Sequence, residues 1–165
     1  MSTAAQEATS KFWVLDDKGI VCKSREGLDS GQKFFARDDM DEGKQLLDVI
    51  REVRRRARCC PRGSWLRQAR VQVKPTILLG LTGVGGLFKE EHIREMAKYT
   101  ERPIVFPLSN PTSRAECTAR QAYEWTDGKA IFASGSPFDP EEVNGKMCYP
   151  SQCNNMVREK DSVLV

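Results

Sequence analysis

The stretch that most restricts the fold is Pro103–Thr112, which reads PIVFPLSNPT. Ile104, Val105, Phe106 and Leu108 are apolar and mostly β-prone, which predicts a buried strand. The chain then turns polar at once, through Ser109, Asn110, Pro111 and Thr112. Open α/β sheets bind ligands where buried strands end in small polar loops ahead of helices, at the carboxyl edge. Asn110 can both donate and accept there, and Pro111 biases it toward an extended backbone. An ordinary strand-to-helix turn would use Asn-Pro as well.

Three other short apolar segments follow the same design. Phe12–Leu15 ends in Asp16, and Ile20–Lys23 reads as a second short extended piece after it. Thr76–Leu81 runs into Thr82-Gly83-Val84-Gly85-Gly86, and Ala130–Ala133 runs into Ser134-Gly135-Ser136-Pro137. Between them lie amphipathic helical patterns. Lys44–Val53 carries Leu46, Leu47, Ile50 and Val53 on one side. Lys89–Tyr99 carries Ile93, Met96 and Ala97. Thr118 and Gln121 have the spacing of a capping box that opens ARQAYEW, and Gly128 closes it. Such alternation predicts an α/β fold with a parallel sheet and helices on both faces. Phe138–Tyr149 predicts a hairpin around Asn144-Gly145. Ser24–Asp41 reads as a polar loop, and the tail from Val157 as polar and frayed.

A chain of 165 residues fits one domain with a substantial core. No apolar run approaches the roughly 18 to 20 residues that span a bilayer, so no membrane partner is expected. Nor does the N-terminus carry the charged and apolar regions of a secretory signal. The default compartment is therefore the cytoplasm, with an organelle open if a targeting segment precedes Met1. The six cysteines form no C-x-x-C pair, and His92 is the single histidine, so no metal site assembles. The net charge of +3 comes from arginines packed between Arg54 and Arg70. That segment, Arg54–Gln72, contains no acid and has neither helical nor strand periodicity. It could contact nucleic-acid phosphates, but with one aromatic, Trp65, it reads better as an insertion.

Asp16 stands where dinucleotide-binding folds place an acid for the adenosine ribose; a strand-ending Asp is also a common turn residue. The loop of Gly83, Gly85 and Gly86 could approach an anionic ligand closely. It lacks the G-x-G-x-x-G spacing, because Phe88 takes the last position, and a tight strand-to-helix turn explains it better. Asn154 and Asn155, in PSQCNN, could hold a carboxylate and a hydroxyl, although adjacent surface amides are common.

Taken in order, FWVLDDKG, KPTILLGLTGVGGLF, ERPIVFPLSNPTSRAECTARQAY, GKAIFASGSPFDP and YPSQCNN resemble the NAD-binding domain of malic enzyme. The resemblance covers Phe12–Val53 and Val73–Met156. It implies a Rossmann-like, three-layer, doubly wound and mostly parallel sheet over residues 1–156. That sheet would be incomplete, with the family's first strand and glycine-rich turn falling before Met1. Arg54–Gln72 would be an unmatched insertion resembling translated non-coding sequence, and 157–165 a divergent tail. The family oxidatively decarboxylates malate to pyruvate and carbon dioxide, using NAD or NADP and a divalent metal, Mg or Mn. By resemblance Asp16, Gly83, Val84, Ser109 and Asn110 would bind the cofactor, and Asn110, Asn154 and Asn155 malate. The family's metal ligands and its catalytic Tyr and Lys lie upstream, so no catalytic or metal residue is assigned here and the isolated chain is expected to be inactive. Lys23, Arg25 and Lys33 could neutralise a 2′-phosphate, whereas Gln32 aligns with a Lys of NADP-using relatives and tilts the choice toward NAD. Intact members could form homo-oligomers. The alternative function is a non-catalytic module that binds a nucleotide or pairs with intact subunits; a nucleic-acid partner is disfavoured.

Overall fold

The computed structural model describes residues 7–51, 53–54, 70–71, 74–153 and 162–164. It opens with a hairpin of β1 (Val14–Asp16) and β2 (Gly19–Ile20). Gly19 turns it at φ +100, and a Cβ there would sit 2.7 Å from the Lys44 carbonyl oxygen. Next comes α1 (Ser30–Phe35), inside the stretch expected to be loop. A reciprocal capping box holds it: the Gln32 N–H donates to Asp29 Oδ1 at 2.8 Å, and the Asp29 N–H donates to Gln32 Oε1 at 3.1 Å. None of its residues is fully buried, which is why no apolar stripe announced it.

The second helix, α2 (Leu46–Arg51), buries Leu46, Val49 and Ile50, which are adjacent on one face. Val49 takes the place expected of Leu47. Val53 leaves the helix and enters β3 (Val53–Arg54), which pairs antiparallel with β4 (Arg70–Val71). These two strands join the ends of the arginine-rich segment; residues 55–69 lie outside the described residues.

From here the chain alternates as expected. It forms β5 (Ile77–Leu81), α3 (Glu90–Ala97), β6 (Ile104–Pro107), a 3-10 turn (Thr112–Arg114), α4 (Ala119–Glu124) and β7 (Ile131–Ser134). Thr118 and Gln121 make the expected capping box at 3.2 and 3.0 Å, and Gly128 follows at φ +72. The hairpin of β8 (Glu141–Val143) and β9 (Lys146–Cys148) turns at Asn144-Gly145, both with positive φ. β10 (Ser151–Gln152) then joins β7 in parallel.

The last strand, β11 (Ser162–Leu164), departs from the expected frayed tail. It lies between β5 and β1, antiparallel to both, in a seven-stranded sheet ordered β10-β7-β6-β5-β11-β1-β2. In the doubly wound order this slot belongs to strand 1. A short β-prone segment is held there because β1 and β5 each offer it a row of backbone partners. Since β11 opposes both neighbours, β1 runs parallel to β5, β6 and β7.

Alternation along β1 separates two apolar layers. Leu15 enters the main core with Ile50, Leu78, Ile93, Met96 and Val105. Val14 packs with Val21, Leu28 and Phe35 on the other face. The apolar β5 and β6 are covered unevenly: Leu78 and Val105 are fully buried, while Leu79 and Phe106 on the opposite face are only partly buried.

Two ionisable groups on α3 link this packing to pH. Burial holds the His92 imidazole below its ordinary 6.5, near Glu91, Lys89 and Arg51, while its Nδ1 accepts the Lys89 N–H at 3.1 Å. Glu95 accepts from Lys98, Arg51 and Tyr99, and its carboxyl lies below the ordinary 4.5, chiefly through the Lys98 hydrogen bond. Both folded values are depressed, so both contributions are complete above the unfolded pKa and fade as pH falls. The melting temperature should begin to fall below about pH 6.5 and fall more steeply below about pH 4.5. In His92→Gln the first decline should vanish and the second remain; a wild-type acid profile in that variant would refute the assignment.

Candidate functional site

Because β1, β5, β6 and β7 share a direction, their carboxyl ends lie along one edge of the sheet. Asp16 ends β1, Thr82-Gly83-Val84 follows β5, Ser109-Asn110 follows β6, and Gly135-Ser136 follows β7. The expected residues Asp16, Gly83, Val84, Ser109 and Asn110 therefore meet this edge. Asn154 and Asn155 lie outside the described residues, just after β10.

Asp16 is not a free acceptor. Arg25 donates through both terminal nitrogens to its two carboxylate oxygens, in a pair whose side chains are 9% and 7% exposed. Gln32 Nε2 adds a bond of 3.3 Å, and the Lys18 N–H one of 3.0 Å. A bidentate guanidinium holds a carboxylate in a fixed plane, so the pair acts as one rigid unit with the cation beside the acid. The side chain of Gln32 is likewise engaged, by Asp29 and by Asp16.

The glycine-rich loop turns its N–H groups inward. The Gly83 N–H donates to Ser109 Oγ at 2.8 Å, and the Val84 N–H to Thr82 Oγ1 at 3.1 Å. The Gly86 and Phe88 N–H groups donate to the carbonyls of Ala115 and Glu116 at 3.1 and 2.9 Å. A phosphate cradle needs such groups pointing outward. This loop is instead a tight turn packed on its neighbour: a Cβ on Gly85 would lie 2.8 Å from the Ser113 carbonyl oxygen. What it offers outward is the Val84 side chain, 56% exposed.

Asn110 is seated by the β7 loop. Its Oδ1 accepts from Ser136 Oγ at 2.6 Å, across a cis peptide to Pro111. Gly135 makes the seat possible, because a Cβ there would stand 2.7 and 2.8 Å from the Asn110 amide oxygen and nitrogen. Among the described residues, no acceptor pairs with Nδ2 of Asn110, which leaves a fixed donor at the sheet edge.

Glu116 is given no role by any motif in the sequence, and Gly135 and Ser136 stand there only as part of the loop that closes Ala130–Ala133. Glu116 is fully buried. Its Oε1 accepts from the Thr82 N–H at 3.0 Å, from Thr82 Oγ1 at 3.1 Å and from Ser109 Oγ at 2.5 Å; its Oε2 has a longer contact of 3.5 Å with the Ser109 N–H. A lone acid between Ala115 and Cys117 is the hint the sequence carried. Beside it, burial pushes the Cys117 thiol well above its usual range, so Cys117 packs rather than reacts. Among the described residues, no group of three or more His, Cys, Asp or Glu could hold a metal ion, so the donors present do not fit a divalent cation. No helix of the described residues is long and apolar enough to cross a membrane.

Residues 1–158 match the family model described as malic enzyme, NAD binding domain. The chain is 48% identical to the NADP-dependent malic enzyme of Dictyostelium discoideum over 92% of its own length and 24% of that protein's. It is 42% identical to the human NADP-dependent malic enzyme over 91% of its length and 23% of that protein's. A hydrogenosomal malic enzyme of Neocallimastix frontalis is 42% identical over 91% of this chain and 22% of that protein. Another relative, the rice NADP-dependent malic enzyme, carries the description chloroplastic. The chain thus spans about a quarter or less of the curated relatives it matches. With that match over nearly its whole length, on an α/β sheet that gathers its polar loops at one edge, the chain belongs to the malic enzyme NAD-binding domain family.

Proposed function

We propose that this chain is the dinucleotide-binding part of a malic enzyme that uses NADP, the whole enzyme oxidising and decarboxylating malate to pyruvate and carbon dioxide. The observation that carries the reading is the common carboxyl edge of β1, β5, β6 and β7. On it, Asp16 and Arg25 would face the adenosine ribose, and Val84, Gly83 and Ser109 would line the path of the cofactor. Asn110 would donate through Nδ2 to the nicotinamide region or to malate, with Asn154 and Asn155 completing the malate site. When bound, the nicotinamide supplies a hydride acceptor. The chain's own part is to orient that ring and to hold the substrate against it.

The preference for NADP rests on Asp16. A free carboxylate would accept ribose hydroxyls and repel a 2′-phosphate. Here Arg25 occupies that carboxylate and brings a guanidinium alongside. Gln32, the residue that pointed to NAD, spends its side chain on Asp29 and Asp16. Fluorescence titration of the full chain should show NADPH binding more tightly than NADH. Arg25→Gln should weaken NADPH by about tenfold, the loss of one charge-assisted contact, and strengthen NADH by freeing the Asp16 carboxylate for the ribose hydroxyls. Tighter NADH binding by the unaltered chain would overturn the cofactor choice. The chain alone should not reduce NADP in a malate-dependent way, because the described residues offer neither metal ligands nor an acid–base pair beside Asn110.

A further inference from the structure

Glu116 is the one fully buried acid among the described residues, and its hydrogen-bond partners come from the two loops of the proposed binding edge. We propose that Glu116 is the positioning residue of that edge, locking the Thr82–Val84 loop and the Ser109–Asn110 loop into the one arrangement that receives a dinucleotide. The proposal rests on the dinucleotide-binding reading above and adds a residue to it.

The geometry works outward in two steps. A carboxylate only accepts, so both hydroxyl protons, from Thr82 Oγ1 and Ser109 Oγ, are spent on it. That sets the direction of each hydroxyl. The oxygen of Ser109 is left to accept the Gly83 N–H, and the oxygen of Thr82 to accept the Val84 N–H. One buried group thereby fixes two side chains, and those two fix the backbone of the glycine-rich turn. Neither hydroxyl retains a proton to give a ligand, so at these two loops the side-chain donor left is the Asn110 amide. Gly80 keeps the space: a Cβ on that residue would fall 2.6 Å from Glu116 Oε2. Among the described residues no cation enters the network, so its role is to orient donors and not to form an ion pair.

Glu116→Gln tests this, because the amide keeps the size and one acceptor while turning a donor toward the Ser109 N–H. In the full chain, amide hydrogen exchange at Gly83 and Val84 should quicken at least tenfold. Exchange at Gly86, held by the Ala115 carbonyl, should not change. NADPH should bind at least tenfold more weakly. Thr126→Val supplies the comparison: Thr126 is also buried, and its side chain bonds to Ala122, Tyr123 and Ala130, none of them in either loop. It should lower the melting temperature and leave NADPH affinity within twofold. If Glu116→Gln leaves exchange at Gly83 and Val84 unchanged, the proposal is wrong whether or not NADPH binds. An equal loss of affinity in both variants would also overturn it, because a general loss of stability would then explain the effect. Absence of NADPH binding by the unaltered chain would count against the dinucleotide reading, and the exchange result would still decide the loop clamp.

Discussion

Gly80→Ala should destabilise the fold by about 3–5 kcal/mol, a large share of the roughly 5–15 kcal/mol that holds a domain together. The new methyl would lie 2.6 Å from Glu116 Oε2 and 2.7 Å from Cγ, and nearer still to the carboxyl carbon. Glu116 cannot swing aside without abandoning donors from Thr82 and Ser109. The strand cannot easily retreat either, because Gly80 is paired with Pro107 on one side and Val163 on the other. Overpacking accounts for about 1–3 kcal/mol and buried donors left without acceptors for the rest. Glu116→Ala, harmful alone, removes the obstacle to that methyl. The double variant should therefore be more stable than the sum of the two losses by at least about 1 kcal/mol in urea unfolding. Additive losses would mean that the clash is relieved elsewhere.

Removing residues 157–165 should have a comparable effect for a different reason. β11 supplies the pairs Leu15↔Val163 and Val14↔Leu164 to β1, and Gly80↔Val163 with its neighbours to β5. Without it, the seven-stranded sheet becomes a four-stranded parallel piece and a two-stranded hairpin. At about 1 kcal/mol for each ladder bond, the loss is about 3–5 kcal/mol, which corresponds to a melting temperature lower by about 10 °C. The unfolding transition should also divide, with fluorescence and circular dichroism no longer coincident. Val163→Pro, which removes one ladder N–H from the middle of the sheet, should reproduce part of the loss. A truncated chain that melts as one unit at the original temperature would show that β11 carries no load.

What could be read from the residues was what is decided locally. Thr118 with Gln121, Asn144-Gly145, and the polar residues that close each strand act within a few positions of themselves, and the folded chain uses them as expected. The same holds for the strand-helix alternation and for Asp16 at the end of β1. Local signals were also misjudged where they departed from the common form. The box at α1 is Asp29…Gln32, with no apolar stripe behind it. Glu116 escaped because its meaning is tertiary: Thr82 lies 34 positions upstream, and only the pairing of β5 with β6 brings the two together. The inward turn of the Gly83 and Val84 N–H groups depends on the same contact. β11 escaped for a similar reason, since a short Val-Leu segment shows its β-preference only when two waiting edges receive it.

The position of β11 in the sheet also imposes an order on how the protein can be made. In chain order β1 is the first of these strands and β11 the last, yet the two are neighbours within the sheet. Until β11 emerges, β1 and β5 each expose an unpaired row of backbone groups, the kind of edge that recruits other chains. Closing that contact joins Val14 to Leu164 across most of the domain, which places it among slow-folding, high-contact-order topologies. The edges of β1 and β5 must therefore stay unpaired with other chains until β11 reaches them.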